Sequence, residues 1–216
     1  GLRYRDFVTR LSQHPAMIGK PVPDAQDWLS KMHSRWLHPE GLLFPSTYRF
    51  ASHNLPIDII EQAYLKQLQV LQSEWAQRAE NLPYKTPYEV LIMASIIEKE
   101  TGLASERPII AGVFVRRLQK GMKLQTDPTV IYGMGAKFNG NIRRSDLTED
   151  TPYNTYVHRG LPPTPIALPG RAAIYAALHP ADGLSLFFVA RGDGSHEFAN
   201  TYPEHLLNVR KYQLKH

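Results

Sequence analysis

The chain has 216 residues and a formal net charge of +5, and its 43% hydrophobic and 21% charged residues are typical of a globular protein. The absence of cysteine excludes disulfides, cysteine-ligated zinc and thiol nucleophiles. No run approaches the ~20 apolar residues of a membrane span, and no signal-peptide pattern occurs. The basic residues are scattered and form no nucleic-acid motif, so we expect no nucleic-acid partner.

The first 80 residues predict three helical segments. An amphipathic segment covers 4–13, and a second helix is expected over about 24–36. The stretch 38–50 is rich in turn-forming and aromatic residues, which indicates a junction to the main domain. A long amphipathic helix follows over about 56–80, with Asn54 as its expected cap.

The segment TPYEVLIMASIIEKETG, residues 86–102, predicts a buried helix. Thr86 is a suitable cap, and Glu89 completes a capping box three residues later. Gly102 follows the last turn, where a left-handed stop is expected. The residues between have almost no polar face, so the helix should lie inside the protein.

Two acids, Glu98 and Glu100, end this helix. At about 100° per residue their side chains point in nearly opposite directions, so we do not expect them to share one cleft. Apolar neighbours and the negative end of the helix dipole both disfavour an ionised carboxylate there. A carboxyl group that keeps its proton is what a general acid needs near neutral pH. The residues alone leave open the alternative of a fraying helix end with two solvated acids.

The second half of the chain has fewer predicted helices. Ser105 is expected to start a helix that Gly121 stops, and Asp127 is expected to cap a brief helix. The proline-rich stretch 136–170 predicts a long, irregular but ordered loop. The remaining predictions are a short strand at 122–125, a helix at 171–178, a hairpin of 184–190 with 196–199, and a last helix capped by Thr201 and Glu204.

Several common kinds of site are not expected. The nine histidines include no HExxH pattern, and His179 and His196 are interpreted as a helix-end group and a strand-surface group, so no metal site is predicted. No GxSxG motif occurs, and Ser95 lies in the buried helix, which argues against a serine nucleophile. The two-glycine turn at 133–135 is not a phosphate loop.

Two groups of polar residues are left as candidate substrate contacts. Gln125, Thr126 and Asp127 lie just before a proline that opens a helix, and Asn154 and Tyr156 lie in the proline-rich loop. Amides and phenols suit hydrogen bonding to sugar hydroxyls and acetamides, and tyrosine faces stack on pyranose rings. The alternatives stay open: Asp127 as a helix cap, Asn154 as a loop cap and Tyr156 in a local core.

Long motifs in this order resemble the MltG/YceG family of endolytic murein transglycosylases. The similarity covers nearly all of the chain after residue 38. The motifs that carry it are PEGLLFPSTYRF (39–50), LIMASIIEKETG (91–102), ERPIIAGVFVRRLQKGMKLQTDPTVIYGMG (106–135), YNTYVHRGLPPTPIALPG (153–170), AALHP (176–180) and FFVARGDGSHEFANTYPEHLLNV (187–209).

The resemblance implies an α+β fold, in which a mainly helical catalytic domain at 39–216 has a small β-hairpin. Residues 1–38 resemble the C-terminal part of a LysM-like α/β subdomain. The implied activity is cleavage of the bond between N-acetylmuramic acid and N-acetylglucosamine within nascent glycan strands, which leaves a 1,6-anhydro end. Glu98 is expected to be the catalyst, Glu100 to support it, and Gln125, Thr126, Asp127, Asn154 and Tyr156 to bind sugars, with no metal or cofactor.

The same resemblance implies where the protein works. Peptidoglycan strands are the expected substrate, and peptidoglycan synthases are candidate partners. The expected location is the extracytoplasmic face of the bacterial inner membrane, where an N-terminal anchor outside this chain would hold the protein. Two alternatives stay open: a lysozyme-like hydrolase with Glu98 as acid and Asp127 as base, and a non-catalytic glycan-binding scaffold.

Overall fold

The structure is a computed structural model and describes residues 1–214. In this part of the chain, eight α-helices accompany one two-stranded antiparallel sheet, so the predicted mainly helical fold with a small hairpin is confirmed. The helices are α1 Tyr4–Gln13, α2 Ala25–Lys31, α3 Pro56–Ala76, α4 Pro87–Glu100, α5 Arg107–Gln119, α6 Asp127–Met134, α7 Arg171–Leu178 and α8 Tyr202–Tyr212, and the strands are β1 Phe187–Ala190 and β2 His196–Ala199.

Helix α4 is the centre of the core. Every residue from Val90 to Ile97 is buried, as expected for a helix that is apolar on all sides. It is covered by α7, α5, α3 and α6. At its start, Thr86 Oγ1 accepts the Glu89 N–H at 3.3 Å, whereas the Glu89 carboxylate accepts the Lys85 N–H at 2.5 Å. The cap at Thr86 is therefore confirmed. The Glu89 carboxylate, however, bonds to the N–H of Lys85 and not to that of Thr86, as a standard capping box would require.

The end of α4 differs from the prediction. The helix stops at Glu100, and Thr101 has extended backbone with φ −140° and ψ 138°. The left-handed stop expected at Gly102 is wrong, because φ there is not positive. The Thr101 hydroxyl accepts the Leu103 N–H at 3.0 Å and so satisfies part of the loop that follows. The extended residue redirects the chain immediately after Glu100.

Residues 1–38 contribute to the same core as the rest of the chain. Leu11, Met17 and Trp28 are buried, and the Trp28 indole N–H donates to the Tyr4 hydroxyl at 3.0 Å. Helix α2 is shorter than predicted and ends at Lys31, since His33 adopts a left-handed conformation with φ 48°. The assignment of this part to a LysM-like subdomain stays a prediction.

Helix α3 begins where expected but ends at Ala76 instead of residue 80. Its cap is formed by the Asp58 carboxylate, which accepts the Leu55 N–H at 2.9 Å, so the assignment of the cap to Asn54 is wrong. Asn54 Oδ1 instead accepts the Ala51 N–H at 2.8 Å. Between residues 1 and 214, no helix combines the length and the apolar character needed to cross a membrane.

The second half supplies the elements around the site. Residues 122–125 form no strand, and Gln125 has φ 51°, so this segment turns sharply into α6. In the hairpin, Phe187 pairs with Ala199 and Ala190 pairs with His196. Helix α8 packs against both strands. Its capping box is confirmed, because Thr201 Oγ1 accepts the Glu204 N–H at 3.4 Å and Glu204 accepts the Thr201 N–H at 3.1 Å.

Candidate active site

A polar cleft of about 420 Å³ lies where the end of α4 meets α6, the hairpin and α8. This volume falls within the ~300–1,000 Å³ range of small-molecule sites. The lining combines charged and polar side chains with aromatic side chains of β1 and α8. Among the lining residues are Glu100, Arg117, Gln125, Thr126, Asp127, Tyr156, Phe187, His196, Tyr202 and His205.

Glu100, the last residue of α4, supplies an acid to this cleft. The residue is partly exposed, and the Thr126 hydroxyl donates a hydrogen bond to its carboxyl oxygen Oε1. Burial raises the pKa of Glu100 from 4.5 to about 7, and the nearby Asp127 charge acts in the same direction. The Thr126 hydrogen bond opposes the rise. A carboxyl group in this environment keeps its proton near neutral pH and is able to donate it.

The segment 125–127 is held firmly against the irregular loop. The Gln125 N–H donates to the Thr155 carbonyl at 3.1 Å, and the Thr126 N–H donates to Thr155 Oγ1 at 3.1 Å. Thr126 itself is only 2% exposed. Asp127 then begins α6, with Pro128 behind it. All three residues predicted from this segment therefore line the cleft beside Glu100.

Tyr156 joins the loop to the same acids. Its hydroxyl donates to Asp127 Oδ1 at 2.6 Å, and its backbone N–H donates to Asn154 Oδ1 at 2.9 Å. Burial, followed by the Asp127 charge, raises the pKa of the Tyr156 phenol. The phenol thus keeps its proton and anchors Asp127. Tyr156 lines the cleft, where its ring can also contact a sugar.

Asn154 lies elsewhere. It is 1% exposed, and its amide nitrogen donates to the carbonyls of Asp146 at 3.1 Å and Glu149 at 2.8 Å. Its side chain is fully engaged in shaping the loop, and it is not part of the cleft lining. Its position gives no support to the predicted sugar contact. The hydrogen bonds of Asn154 fit the alternative interpretation, in which its side chain caps the loop.

Glu98 lies on another side of α4 from the cleft. Its Oε2 accepts the Gly170 N–H at 3.2 Å, just before α7 begins. A carboxylate in this position complements the positive end of α7 and fastens α4 to it. Glu98 does not line the cleft. The geometry therefore favours Glu100, and not Glu98, for the acid role that the sequence assigned to Glu98.

Arg117 of α5 is a cleft residue that the sequence interpretation missed. It is 6% exposed, and its guanidinium donates to the carbonyls of Leu186 at 2.6 Å, Lys123 at 3.1 Å and Leu124 at 2.8 Å. It also lies 5.0 Å from the centre of the Phe187 ring. Arg117 thus joins the start of the hairpin to the segment before α6. Nothing in the local sequence distinguishes it from the exposed arginines.

His196 was interpreted as a strand-surface group, and that interpretation is wrong. Its side chain is 10% exposed, and Nδ1 lies 2.7 Å from Glu106 Oε2. The His196 backbone N–H also donates to Glu106 Oε1 at 2.9 Å. The period-2 pattern of β2 places His196 on the same face as the partly buried Phe198, which is the one local signal of its inward position.

The cleft suits proton transfer better than metal chemistry. Within residues 1–214, no group of three or more histidine, aspartate or glutamate side chains is arranged to hold a metal ion. The cleft instead combines a carboxyl group with a raised pKa, a second carboxylate and an imidazole. A proton donor beside hydroxyl, amide and aromatic groups has the chemical groups that binding and protonating a sugar substrate require.

The chain matches the YceG-like family over residues 1–211. It belongs to this family. A Bacillus subtilis (strain 168) protein named endolytic murein transglycosylase is 40% identical over 180 residues, which cover 81% of this chain and 48% of that protein. A Streptococcus pneumoniae (serotype 2, strain D39) protein of the same name is 32% identical over 180 residues, or 80% of this chain and 32% of that protein. This YceG-like chain thus spans about half the length of the first relative and about a third of the second.

A solved structure gives the same view of the fold. The crystal structure of a yceG-like protein from Listeria monocytogenes superposes with a TM-score of 0.69 at 32% sequence identity. The match covers 94% of this chain and 63% of that one. The arrangement of helices and hairpin around the cleft therefore belongs to the YceG-like fold.

Proposed function

We propose that this chain is the catalytic part of an endolytic murein transglycosylase. It cuts the bond between N-acetylmuramic acid and N-acetylglucosamine inside a glycan strand and leaves a 1,6-anhydro end. The observation that carries the proposal is the Glu100 carboxyl, whose pKa is raised to about 7 by burial in a polar cleft. The relatives that bear this name share 40% and 32% identity with the chain.

Glu100 is the proposed acid. In its protonated form, which a pKa of about 7 keeps populated at neutral pH, it gives its proton to the glycosidic oxygen as the bond to C1 of the muramyl sugar breaks. The C6 hydroxyl of the same sugar attacks C1 in place of water. Because this nucleophile belongs to the substrate, no second carboxylate is needed to activate water, unlike in the usual glycosidases. The proton of that hydroxyl must be taken up in exchange, and the Glu100 carboxylate can accept it.

The neighbours of Glu100 have supporting roles in this proposal. Thr126 and Asp127 set the proton affinity of Glu100, through a hydrogen bond and a like charge respectively. Gln125, Tyr156 and the aromatic side of the cleft are the proposed sugar contacts, since they line the cleft with amide and ring surfaces. Glu98 is assigned the structural contact to α7.

A lysozyme-like hydrolase is the second candidate, and the presence of Asp127 beside Glu100 favours it. In that reaction Asp127 would activate a water molecule, and the product would carry a hydrated reducing end. The Tyr156 hydroxyl already occupies Asp127 Oδ1 at 2.6 Å, which restrains the carboxylate as a base. The transglycosylase is therefore preferred.

The proposed substrate determines the proposed location. Murein lies outside the cytoplasmic membrane, so we infer that the chain works on the extracytoplasmic side. Enzymes that polymerise glycan strands are the proposed partners, because their product is the nascent strand that an endolytic enzyme would cut.

Mass spectrometry of digested glycan strands tests the proposal. We expect the wild-type chain to produce anhydro ends, and Glu100→Gln to lower their rate of formation by about 10³-fold, within the range for loss of a general acid. Hydrated ends with no anhydro ends would establish the hydrolase. Full cutting by Glu100→Gln, with its fold intact by circular dichroism, would refute the assignment of Glu100.

A further inference from the structure

The cleft contains a second proton-handling pair that the proposed chemistry does not yet use. Glu106 precedes α5, and His196 begins β2, 90 residues later in the chain. Both side chains are nearly buried, at 11% and 10% exposure. His196 lines the cleft, whereas Glu106 is not among the lining residues.

Glu106 fixes the orientation of the imidazole. One carboxylate oxygen accepts the His196 backbone N–H at 2.9 Å, and the other lies 2.7 Å from Nδ1. Since an ionised carboxylate only accepts hydrogen bonds, Nδ1 carries the hydrogen in this pair. The Phe188 ring packs edge-on against the imidazole, with centroids 5.3 Å apart and an interplanar angle of 89°. The ring is thus held by a bond on one side and an aromatic contact on the other.

This arrangement leaves Nε2 as an acceptor. With hydrogen on Nδ1, the neutral imidazole has its lone pair on Nε2. Within residues 1–214, Nε2 makes no hydrogen bond to another protein group, and it is not among the fully buried unpaired atoms. A histidine that is oriented by a carboxylate, which also stabilises the charged form of the imidazole, has the arrangement of a general base.

We infer that His196 is a further catalytic residue, which takes the proton of the attacking C6 hydroxyl through Nε2, and that Glu106 positions it. This inference rests on the proposed function. Glu100 donates its proton to the glycosidic oxygen as the C1–oxygen bond breaks, and the C6 oxygen forms the new bond to C1. The hydroxyl proton passes to Nε2, and Glu106 stabilises the resulting imidazolium. His196 then returns the proton to the Glu100 carboxylate through solvent in the open cleft.

In this scheme the acid and base work is divided between two residues on different elements of the cleft. Glu100 lies at the end of α4, and His196 lies on the hairpin. Neither residue has to donate and accept a proton within the same bond-making event. Besides Glu100 and His196, the titratable or charged side chains that line the cleft are Arg117, Asp127, Tyr156, Tyr202 and His205.

The test compares His196→Asn with the wild-type chain on purified glycan strands over a range of pH. Asparagine can keep a hydrogen bond to Glu106 in place of Nδ1, but it has no atom in the position of Nε2. We expect kcat to fall by about 10²-fold or more, which is the contribution of a general base. We also expect the pH profile of kcat to differ between the variant and wild type, because the variant has no base at the position of Nε2.

His158→Asn is the matched control. His158 also pairs with a carboxylate, with Nε2 at 2.6 Å from Asp150 Oδ1, but both side chains are exposed and neither lines the cleft. This variant should keep the wild-type kcat and pH profile. Glu106→Gln is the second test variant: it can still accept a hydrogen bond but has no charge, so we expect its pH profile of kcat to differ from that of wild type.

The outcomes separate the inference from the proposed function. If Glu100→Gln is inactive while His196→Asn keeps kcat within about 3-fold of wild type and the wild-type pH profile, the inference on His196 is wrong and the proposed function stands. If His196→Asn does not fold, as judged by thermal melting, Glu106→Gln decides, and an unchanged pH profile overturns the inference. If the wild type forms no anhydro ends, both are wrong.

Discussion

Two carboxyl groups two residues apart on α4 have entirely different surroundings. Glu98 faces α7, where it accepts a backbone N–H from the residue before that helix. Glu100 faces the cleft, where a threonine hydroxyl, a second carboxylate and burial act on it together. The helix rotates by about 200° between them, so one acid joins two helices and the other lines the cleft.

The comparison teaches that the neighbours, and not the residue type or the helix end, determine what an acid does. Both residues share the same helix terminus and the same apolar helix before them. The partners of Glu100 favour its protonated form, because burial and the Asp127 charge together outweigh the Thr126 hydrogen bond. A general acid needs that balance, whereas a contact between helices does not.

Shortening each acid by one methylene should separate their roles most clearly. We expect Glu100→Asp to lower the cleavage rate by about 10²-fold, since a displacement of about 1 Å is costly at a reacting centre. Glu98→Asp should stay within about 3-fold of wild type. Initial rates of glycan cleavage measure both. Equal losses of cleavage rate in the two variants would show that Glu98 and Glu100 do not have different roles.

The pH dependence of stability is the next largest effect. The folded chain raises the pKa of Glu100 from 4.5 to about 7, so it binds a proton that the unfolded chain releases. The contribution of Glu100 to the free energy of unfolding is fully present below pH ~4.5 and is lost as the pH rises to about 7. This contribution amounts to at most about 3 kcal/mol.

Urea unfolding of wild type and Glu100→Gln between pH 4 and 8 measures this contribution. Burial also raises the pKa of Glu40 to about 7. Glu40 therefore adds a second pH-dependent contribution to stability, but it does so in wild type and variant alike and cancels in the difference between them. The difference between wild type and Glu100→Gln should therefore depend on pH. Parallel curves for the two proteins would contradict the raised pKa.

Two neighbours of Glu100 should move its proton affinity in opposite directions. Asp127→Asn removes a like charge and should lower the pKa of Glu100, whereas Thr126→Val removes a hydrogen bond to the ionised form and should raise it. The alkaline decrease of the cleavage rate should then move to lower and higher pH respectively, by up to about one unit. Shifts in the same direction would show that these contacts do not control the acid.

Removal of the Glu98 side chain should have the smallest effect. Glu98→Ala deletes the acceptor of the Gly170 N–H, and we expect the free energy of unfolding to fall by about 1 kcal/mol with little change in activity. Thermal unfolding and the cleavage assay check the two parts. An inactive but fully folded variant would return the catalytic role to Glu98.

The sequence predicted the elements whose signals are local. The caps at Thr86 and Thr201 with their following acids, the buried stripe of α4 and the hairpin around 192–194 all lie within a few residues of the structure they determine. It also predicted correctly that Glu98 and Glu100 point in different directions. It could not say which direction leads to a cleft.

The contacts that decide function join residues far apart in the chain. Thr126 lies 26 residues from Glu100, and His196 lies 90 residues from Glu106. The end of α4 depends on the extended Thr101, which glycine statistics at Gly102 did not predict. Asn154 had the composition of a sugar ligand, but its amide is taken up by two loop carbonyls. Sequence periodicity predicts one helix or strand at a time, whereas each of these contacts depends on how several elements pack together.

The most direct test of the central claim is the yield of anhydro ends from Glu98→Gln and Glu100→Gln, measured by mass spectrometry on the same glycan preparation. Both substitutions remove one ionisable group and keep the side-chain size. We predict that Glu98→Gln forms anhydro ends at a rate near that of wild type and that Glu100→Gln is about 10³-fold slower. An active Glu100→Gln beside an inactive, folded Glu98→Gln would contradict the account.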